Sequence, residues 1–163
     1  MKDNIYLYNL SSDLKKTISA FLIVLGIGIF TGLIYINYTT SMSITGTIEQ
    51  YKGSVAASEY DIPNKFPKEF ESMIRITHEH IISFSIITIL LSFIFNFNST
   101  VSRKAKLFLM IEPYISIIIT FSSMWLMRYF SSKFVYFLIV SSSLMYICWY
   151  AIIFISLYEL NKK

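Results

Sequence analysis

The chain has 163 residues and a formal net charge of +4 at pH 7, and 55% of its residues are hydrophobic. Its mean hydropathy of +0.57 exceeds what the core of a soluble domain of this size needs. The charged residues lie in short blocks between long apolar runs, a pattern that excludes a water-soluble globular domain and is typical of membrane proteins. Anchoring beside the membrane explains the positive charge, so we expect no nucleic-acid partner.

Four apolar runs predict membrane spans at about residues 17–37, 78–97, 107–127 and 134–158. A helix rises ~1.5 Å per residue, so about 20 residues cross the ~30 Å hydrocarbon layer. The runs lack the alternation of barrel strands, and no small-residue cleavage site follows the first run. We therefore predict an all-α, antiparallel four-helix membrane bundle that forms a single domain over residues 1–163.

The loop at about residues 38–77 is the one sizeable predicted segment outside the membrane. Gly53-Ser54 and residues 61–64 are predicted as turns, and Pro67 is predicted at the first position of a helix. From Phe66, apolar residues recur at helical spacing, namely Phe70, Met73 and Ile74. This spacing predicts an amphipathic helix that lies on the outer surface or runs straight into the second span, with a solvated linker as the alternative.

Lys and Arg residues beside the spans predict the orientation. The N-terminal tail, the loop at 103–106 and the C-terminal end carry eight of them, whereas the opposite side carries six together with five acids. This bias favours both termini in the cytoplasm and the 38–77 loop outside it. We expect a multi-pass protein of a bacterial inner membrane, surrounded by the lipid bilayer and associated with other membrane subunits or with copies of itself.

Polar residues at membrane depth predict which helix faces point inward, because polar groups facing lipid are costly. At ~100° per residue, one face of the fourth span collects Ser141, Met145, Cys148, Trp149, Ser156 and Glu159. One face of the third span collects Glu112, Ser116, Thr120, Ser123 and Met127, and on the second span Ser85, Ser92 and Asn96 lie near His78. The first span offers the small pair Gly28 and Gly32, which lets another helix approach closely.

A cofactor site is one hypothesis at the outer mouth of the bundle. His78, His80, Met124, Met127 and Arg128 are predicted at similar depth, and such side chains bind haem iron, copper or a quinone. The two imidazoles fall about 160° apart on a continuous helix, so both cannot bind one metal. The alternative is an interfacial belt of aromatic and basic residues. Cys148 is the only cysteine, which excludes an intrachain disulfide.

Glu112 is the second candidate for chemistry, as a proton or ion relay inside the third span. Pairing with Lys104 or Lys106 is the alternative for this residue. The chain shows no recognisable catalytic motif, although enzymatic activity stays open. We interpret the protein as a non-catalytic four-helix subunit or accessory protein of a larger membrane complex. The alternatives are a redox or cofactor-binding protein centred on His78 and an oligomeric proton-coupled carrier using Glu112.

Overall fold

Helices account for all the regular secondary structure that the computed structural model describes, in residues 6–55 and 62–162. The four long helices are α1 (Ser12–Thr40), α3 (Phe70–Asn96), α4 (Arg103–Tyr129) and α5 (Val135–Leu160), and α2 (Ile44–Lys52) is short. Each long helix is long and apolar enough to cross a membrane. The predicted four-helix fold is confirmed, and the long helices extend a few residues beyond most of the predicted bounds because polar residues at the interface continue them.

Short connections make α4 antiparallel to both α3 and α5, and the bundle has two distinct ends. At the terminal end, the start of α1, the α3–α4 connection and the end of α5 come together. There the backbone N–H of the buried residue Leu7 donates to the carbonyl of Phe97 over 3.0 Å. The opposite end, which we call the α2 end, holds α2 and the segment that leads into α3.

The core lies between α3, α4 and α5, whose largest fully buried side chains include Trp149, Phe95 and Leu91. α4 and α5 form the most extensive helix pair. α1 is peripheral and packs chiefly against α5 and α2, with Leu22, Ile29 and Thr40 as its buried residues. Large apolar side chains are exposed along all four long helices, as expected for surfaces that meet lipid.

α2 is a helix that the sequence analysis missed. The chain reverses after α1 through Ser41 (φ 51°) and Met42 (φ 47°), and the Ser43 hydroxyl then caps α2 by accepting from the backbone N–H of Gly46 at 2.9 Å. A Cβ at Gly46 would lie 2.1 Å from the carbonyl oxygen of Thr40, so this close turn requires glycine. Ser43 was the available signal, but nine residues with an internal glycine make a weak helix by themselves.

The predicted amphipathic helix runs straight into the second span, but it begins at Phe70, so the placement of Pro67 at its first position is wrong. The reason is that the segment before α3 pairs with the end of α2. The Ser54 N–H donates to the carbonyl of Lys65 at 2.9 Å, and the Lys68 N–H donates to that of Tyr51 at 3.0 Å.

The two predicted turns of this loop have different outcomes. Gly53 ends α2 at φ 86°, as the Gly53-Ser54 turn predicts. A Cβ there would come within 2.8 Å of Pro67, so glycine also permits the close approach of the segment before α3. Of the predicted turn at 61–64, Asp61 lies outside the described residues, and a bend occurs at Asn64 and Lys65.

Candidate functional site

The predicted inward faces of α4 and α5 are confirmed. All six residues predicted for the α5 face are buried, as are four of the five predicted for α4, with Thr120 half-buried. The Oγ1 of Thr120 and the Oγ of Ser141 lie 2.7 Å apart, which joins the two helices by a hydrogen bond. The interior of the bundle therefore contains a line of polar side chains along the α4–α5 contact.

Glu112 is the ionisable residue in this line, with 7% of its surface exposed. The Ser116 hydroxyl donates to its Oε1, the Cys148 thiol lies beside it, and its Oε2 has no hydrogen-bond partner among the described residues. Pairing with Lys106 does not occur, since that ammonium donates instead to the carbonyls of Asn96 (3.0 Å) and Asn98.

No ion pair involves Glu112 within residues 6–55 and 62–162, where the pair Asp13–Lys16 forms at 3.9 Å on the surface. The predicted pairing of Glu112 with Lys104 is therefore not formed either. A buried carboxylate without a counter-charge is costly in hydrocarbon, which makes this group a candidate for binding a proton or a cation.

The interior face of α3 differs from the predicted one. Met73, Thr88, Leu91 and Phe95 are buried, together with Ser92, whereas Asn96 and His78 are exposed and Ser85 is half-buried. The large apolar side chains set the rotation of the helix, and the indole N–H of Trp149 fixes it by donating to Thr88 Oγ1 at 3.1 Å. Placing His78 on the interior stripe is therefore wrong.

The structure turns His80, rather than His78, toward α4. The His80 ring packs against Phe84 and Phe121 with centroid separations of 5.2 and 5.9 Å, and its Nδ1 donates to the carbonyl of Ile76 at 2.9 Å. Met124 and Met127 are buried at 2% and 0% exposure in the α4 face. His78 is exposed, whereas the thioethers of Met124 and Met127 that were expected to join it are buried.

Arg128 joins the end of α4 to the start of α3. Its Nε donates to the carbonyl of Lys68 at 3.2 Å, and its guanidinium lies over the Tyr129 ring at 5.0 Å. One turn earlier, the Trp125 indole N–H donates to Thr77 Oγ1 at 2.9 Å. In the part of the chain that the structure describes, no three His, Cys, Asp or Glu side chains come close enough to hold a metal ion. These contacts join α4 to the start of α3 at the α2 end.

At the terminal end, a carboxylate joins α5 to the α3–α4 connection, and the sequence predicted only part of this contact. Glu159 is fully buried, and its two oxygens lie 3.0 and 2.9 Å from the backbone nitrogen of Ser99. The Asn98 Oδ1 accepts from the N–H groups of Thr100 (3.0 Å) and Val101 (3.2 Å). The sequence placed Glu159 on an interior face, but its partner lies 60 residues away. Asn98-Ser-Thr was a signal for the turn alone.

One family model matches the chain. Residues 41–163 match the model of Aq_1264_TM, which is described as a transmembrane helical domain. The chain belongs to this family. The Aq_1264_TM match begins where α1 ends, so it takes in α2 to α5 and leaves α1 outside the matched unit. No curated protein and no solved structure matches the chain.

Proposed function

We propose that this protein is a non-catalytic, multi-pass subunit or accessory protein of a larger membrane complex, which it joins through the outer face of α1. A bacterial inner membrane with both termini in the cytoplasm agrees with the excess of Lys and Arg at the terminal end. The observation that carries the proposal is the uncovered surface around Gly28 and Gly32.

Gly28 and Gly32 lie one turn apart on α1, and a Cβ added to either would meet no atom within 4 Å. Inside a helix, each glycine costs about 1 kcal/mol relative to alanine. In membranes this cost is offset where small residues let a second helix approach closely. Nothing in the described chain packs against these two glycines, so the offsetting contact belongs to another subunit or another copy.

Gly26 shows what such a contact looks like within the chain. The Tyr150 hydroxyl donates to its carbonyl at 3.1 Å, and a Cβ there would lie 3.9 Å from Ile153 Cδ1. α5 therefore uses one glycine of α1 and leaves the other two free. Because α1 lies outside the Aq_1264_TM match and is peripheral, it is suited to a protein contact specific to this chain.

The double substitution Gly28→Leu and Gly32→Leu tests the proposal. Both side chains have open space, so the monomer should fold normally while close helix approach is blocked. We expect wild-type protein in mild detergent to run as a complex, with itself or with a co-purifying membrane protein, and the double variant to run as a monomer. Size-exclusion chromatography with light scattering measures the mass, and circular dichroism checks the fold.

Ser143→Leu is the matched control, because it places the same side chain on the exposed surface of α5. This variant should associate like the wild type. A wild-type protein that is a monodisperse monomer without a co-purifying partner would contradict the proposal. So would loss of association in both the double variant and the control.

A second candidate function, an oligomeric proton-coupled carrier, is favoured by the unpartnered Oε2 of Glu112. The carboxyl lies inside a span beside Ser116 and Cys148, where a proton or cation can be held without competition from a lysine. In liposomes with a trapped pH indicator, wild-type protein should then carry protons and Glu112→Gln should not. Exposed Glu79→Gln is the control. Equal flux through wild type and Glu112→Gln would exclude this candidate.

A further inference from the structure

A groove of about 600 Å³ lies at the terminal end, between the first turns of α1 and the end of α5. Its α1 wall presents Lys15 and Lys16, then the Ser19 hydroxyl, then Ala20 and Ile23. Leu160 of α5 forms part of the opposite wall. Neither the interior polar line nor the outer face of α1 includes these side chains.

From the end of the helix into the span, the α1 wall of the groove changes from charged to polar to apolar. A phospholipid changes in the same order from its phosphate to its acyl chains. A helix advances ~6 Å over four residues, so Lys15, Ser19 and Ile23 are three successive levels of one stripe. Lys15 and Lys16 directly precede the predicted span at 17–37, so we expect their ammonium groups at the membrane boundary. The Ser19 hydroxyl lies one level deeper along the helix, and Ala20 and Ile23 continue into the span. A phospholipid presents a phosphate, then glycerol esters, then acyl chains over a similar depth.

The charges around the groove favour an anionic ligand. Among residues 6–55 and 62–162 no carboxylate lines it, and Asp13 of α1 makes only a long, exposed contact of 3.9 Å with Lys16. Glu159 at the same end is occupied by Ser99. Arg103 and Lys104 are exposed at this end of the bundle but do not line the groove. A basic pocket between helix ends at the membrane surface suits an acidic head group and disfavours a choline.

We propose that this groove binds one anionic phospholipid, with the phosphate between Lys15 and Lys16 and an acyl chain along Ala20 and Ile23. A free phosphate would use the lysines but gain nothing from the apolar lower half of the groove. The inference is independent of the proposed subunit role and of the side of the membrane on which the terminal end lies.

Native mass spectrometry of detergent-solubilised protein tests this directly. The probes are phosphatidylglycerol and phosphatidylcholine with the same acyl chains, supplied in equal amounts. We expect wild-type protein to retain phosphatidylglycerol at least ~10-fold more than phosphatidylcholine. Lys15→Gln combined with Lys16→Gln should lower phosphatidylglycerol retention by roughly tenfold, because each ammonium contributes to holding the phosphate.

Arg103→Gln combined with Lys104→Gln removes the same charge from the same end but outside the groove. It should change retention by no more than about twofold, because exposed distant charges are screened. Ile23→Trp fills the lower groove without altering charge, and it should weaken lipid retention too. Each lysine lies on the helix surface, and thermal unfolding verifies that every variant is folded.

Three outcomes would overturn the proposal. One is equal retention of the two lipids by the wild type, and another is an equal loss of phosphatidylglycerol in the two double-charge variants, which would indicate general surface attraction. The third is displacement of the lipid by millimolar inorganic phosphate together with no effect of Ile23→Trp, which would identify a site for free phosphate.

Discussion

Glu159 and Ser99 form a buried clasp between the last turn of α5 and the connection from α3 to α4. Both carboxylate oxygens accept from the Ser99 backbone N–H, at 3.0 and 2.9 Å, and Oε1 also accepts from the Ser99 hydroxyl at 2.7 Å. The Glu159 side chain thus supplies acceptors for the backbone N–H and the hydroxyl of Ser99, which lies in a non-helical connection. The C-terminal end of α5 thereby fixes the position at which α3 turns into α4.

Replacing this carboxylate should destabilise the bundle. Glu159→Gln keeps the size of the side chain but loses the charge and one acceptor, so we expect the free energy of unfolding to fall by about 2 kcal/mol. Reversible unfolding in SDS measures it. Glu79→Gln, on the exposed surface of α3, is the control and should leave stability unchanged. Equal stability of the two variants would mean that the clasp contributes nothing.

At Glu112, substitution by glutamine should not lower the free energy of unfolding. Glu112→Gln retains an acceptor for Ser116 and removes a carboxyl group whose Oε2 has no partner, so we expect unchanged or higher stability in the SDS assay. Glu112→Ala, which leaves the hydroxyl without its acceptor and creates a cavity, should cost about 2 kcal/mol. A marked loss in the Gln variant would show that the charged form stabilises the fold.

Thr88 should couple energetically to Trp149 across the core. Thr88→Val preserves the shape but removes the acceptor of the indole N–H, and it should cost about 1 kcal/mol. In the background of Trp149→Phe, the same substitution should cost much less, and the double-mutant cycle measures the difference. Thr31→Val on the exposed side of α1 is the control for the loss of a helical hydroxyl. Additive effects of the two core substitutions would indicate that the hydrogen bond contributes no net stability.

Substitution by alanine should lower the stability of the protein at Gly46 and raise it at Gly28. Gly46→Ala forces a Cβ to within 2.1 Å of the Thr40 carbonyl oxygen, so α2 must shift and stability should fall by about 2 kcal/mol. Gly28→Ala meets open space and removes a helix-weakening residue, so monomer stability should rise by about 0.5–1 kcal/mol. Thermal unfolding in a detergent that keeps the wild type and both variants monomeric distinguishes them. A loss of monomer stability in Gly28→Ala would reveal an intrachain contact at this glycine.

Single cysteines test the proposed orientation. In a Cys148→Ser background, Val55→Cys lies at the α2 end at a position that is 96% exposed, and Asn9→Cys is exposed at the terminal end. An impermeant maleimide added to intact cells should label the first position and spare the second until the membrane is permeabilised. The reverse pattern would place the termini outside the cytoplasm.

The sequence alone was enough to predict four membrane helices and two of their inward faces. Hydrophobic length predicts a span because the bilayer has a fixed thickness, and α4 and α5 each carry enough polar residues on one side to show which face avoids lipid. The burial of Glu112, Cys148 and Glu159 was predictable for this reason.

Only the tertiary structure could reveal the features that depend on contacts between different elements. The rotation of α3 follows from packing Leu91 and Phe95 against α4 and α5, and not from the polar residues that pointed to His78. α2 is held by contacts with α1 and with the segment before α3, so its own nine residues gave little signal. The Glu159–Ser99 clasp joins residues 60 apart in the chain, and only the packed bundle brings them within hydrogen-bond distance.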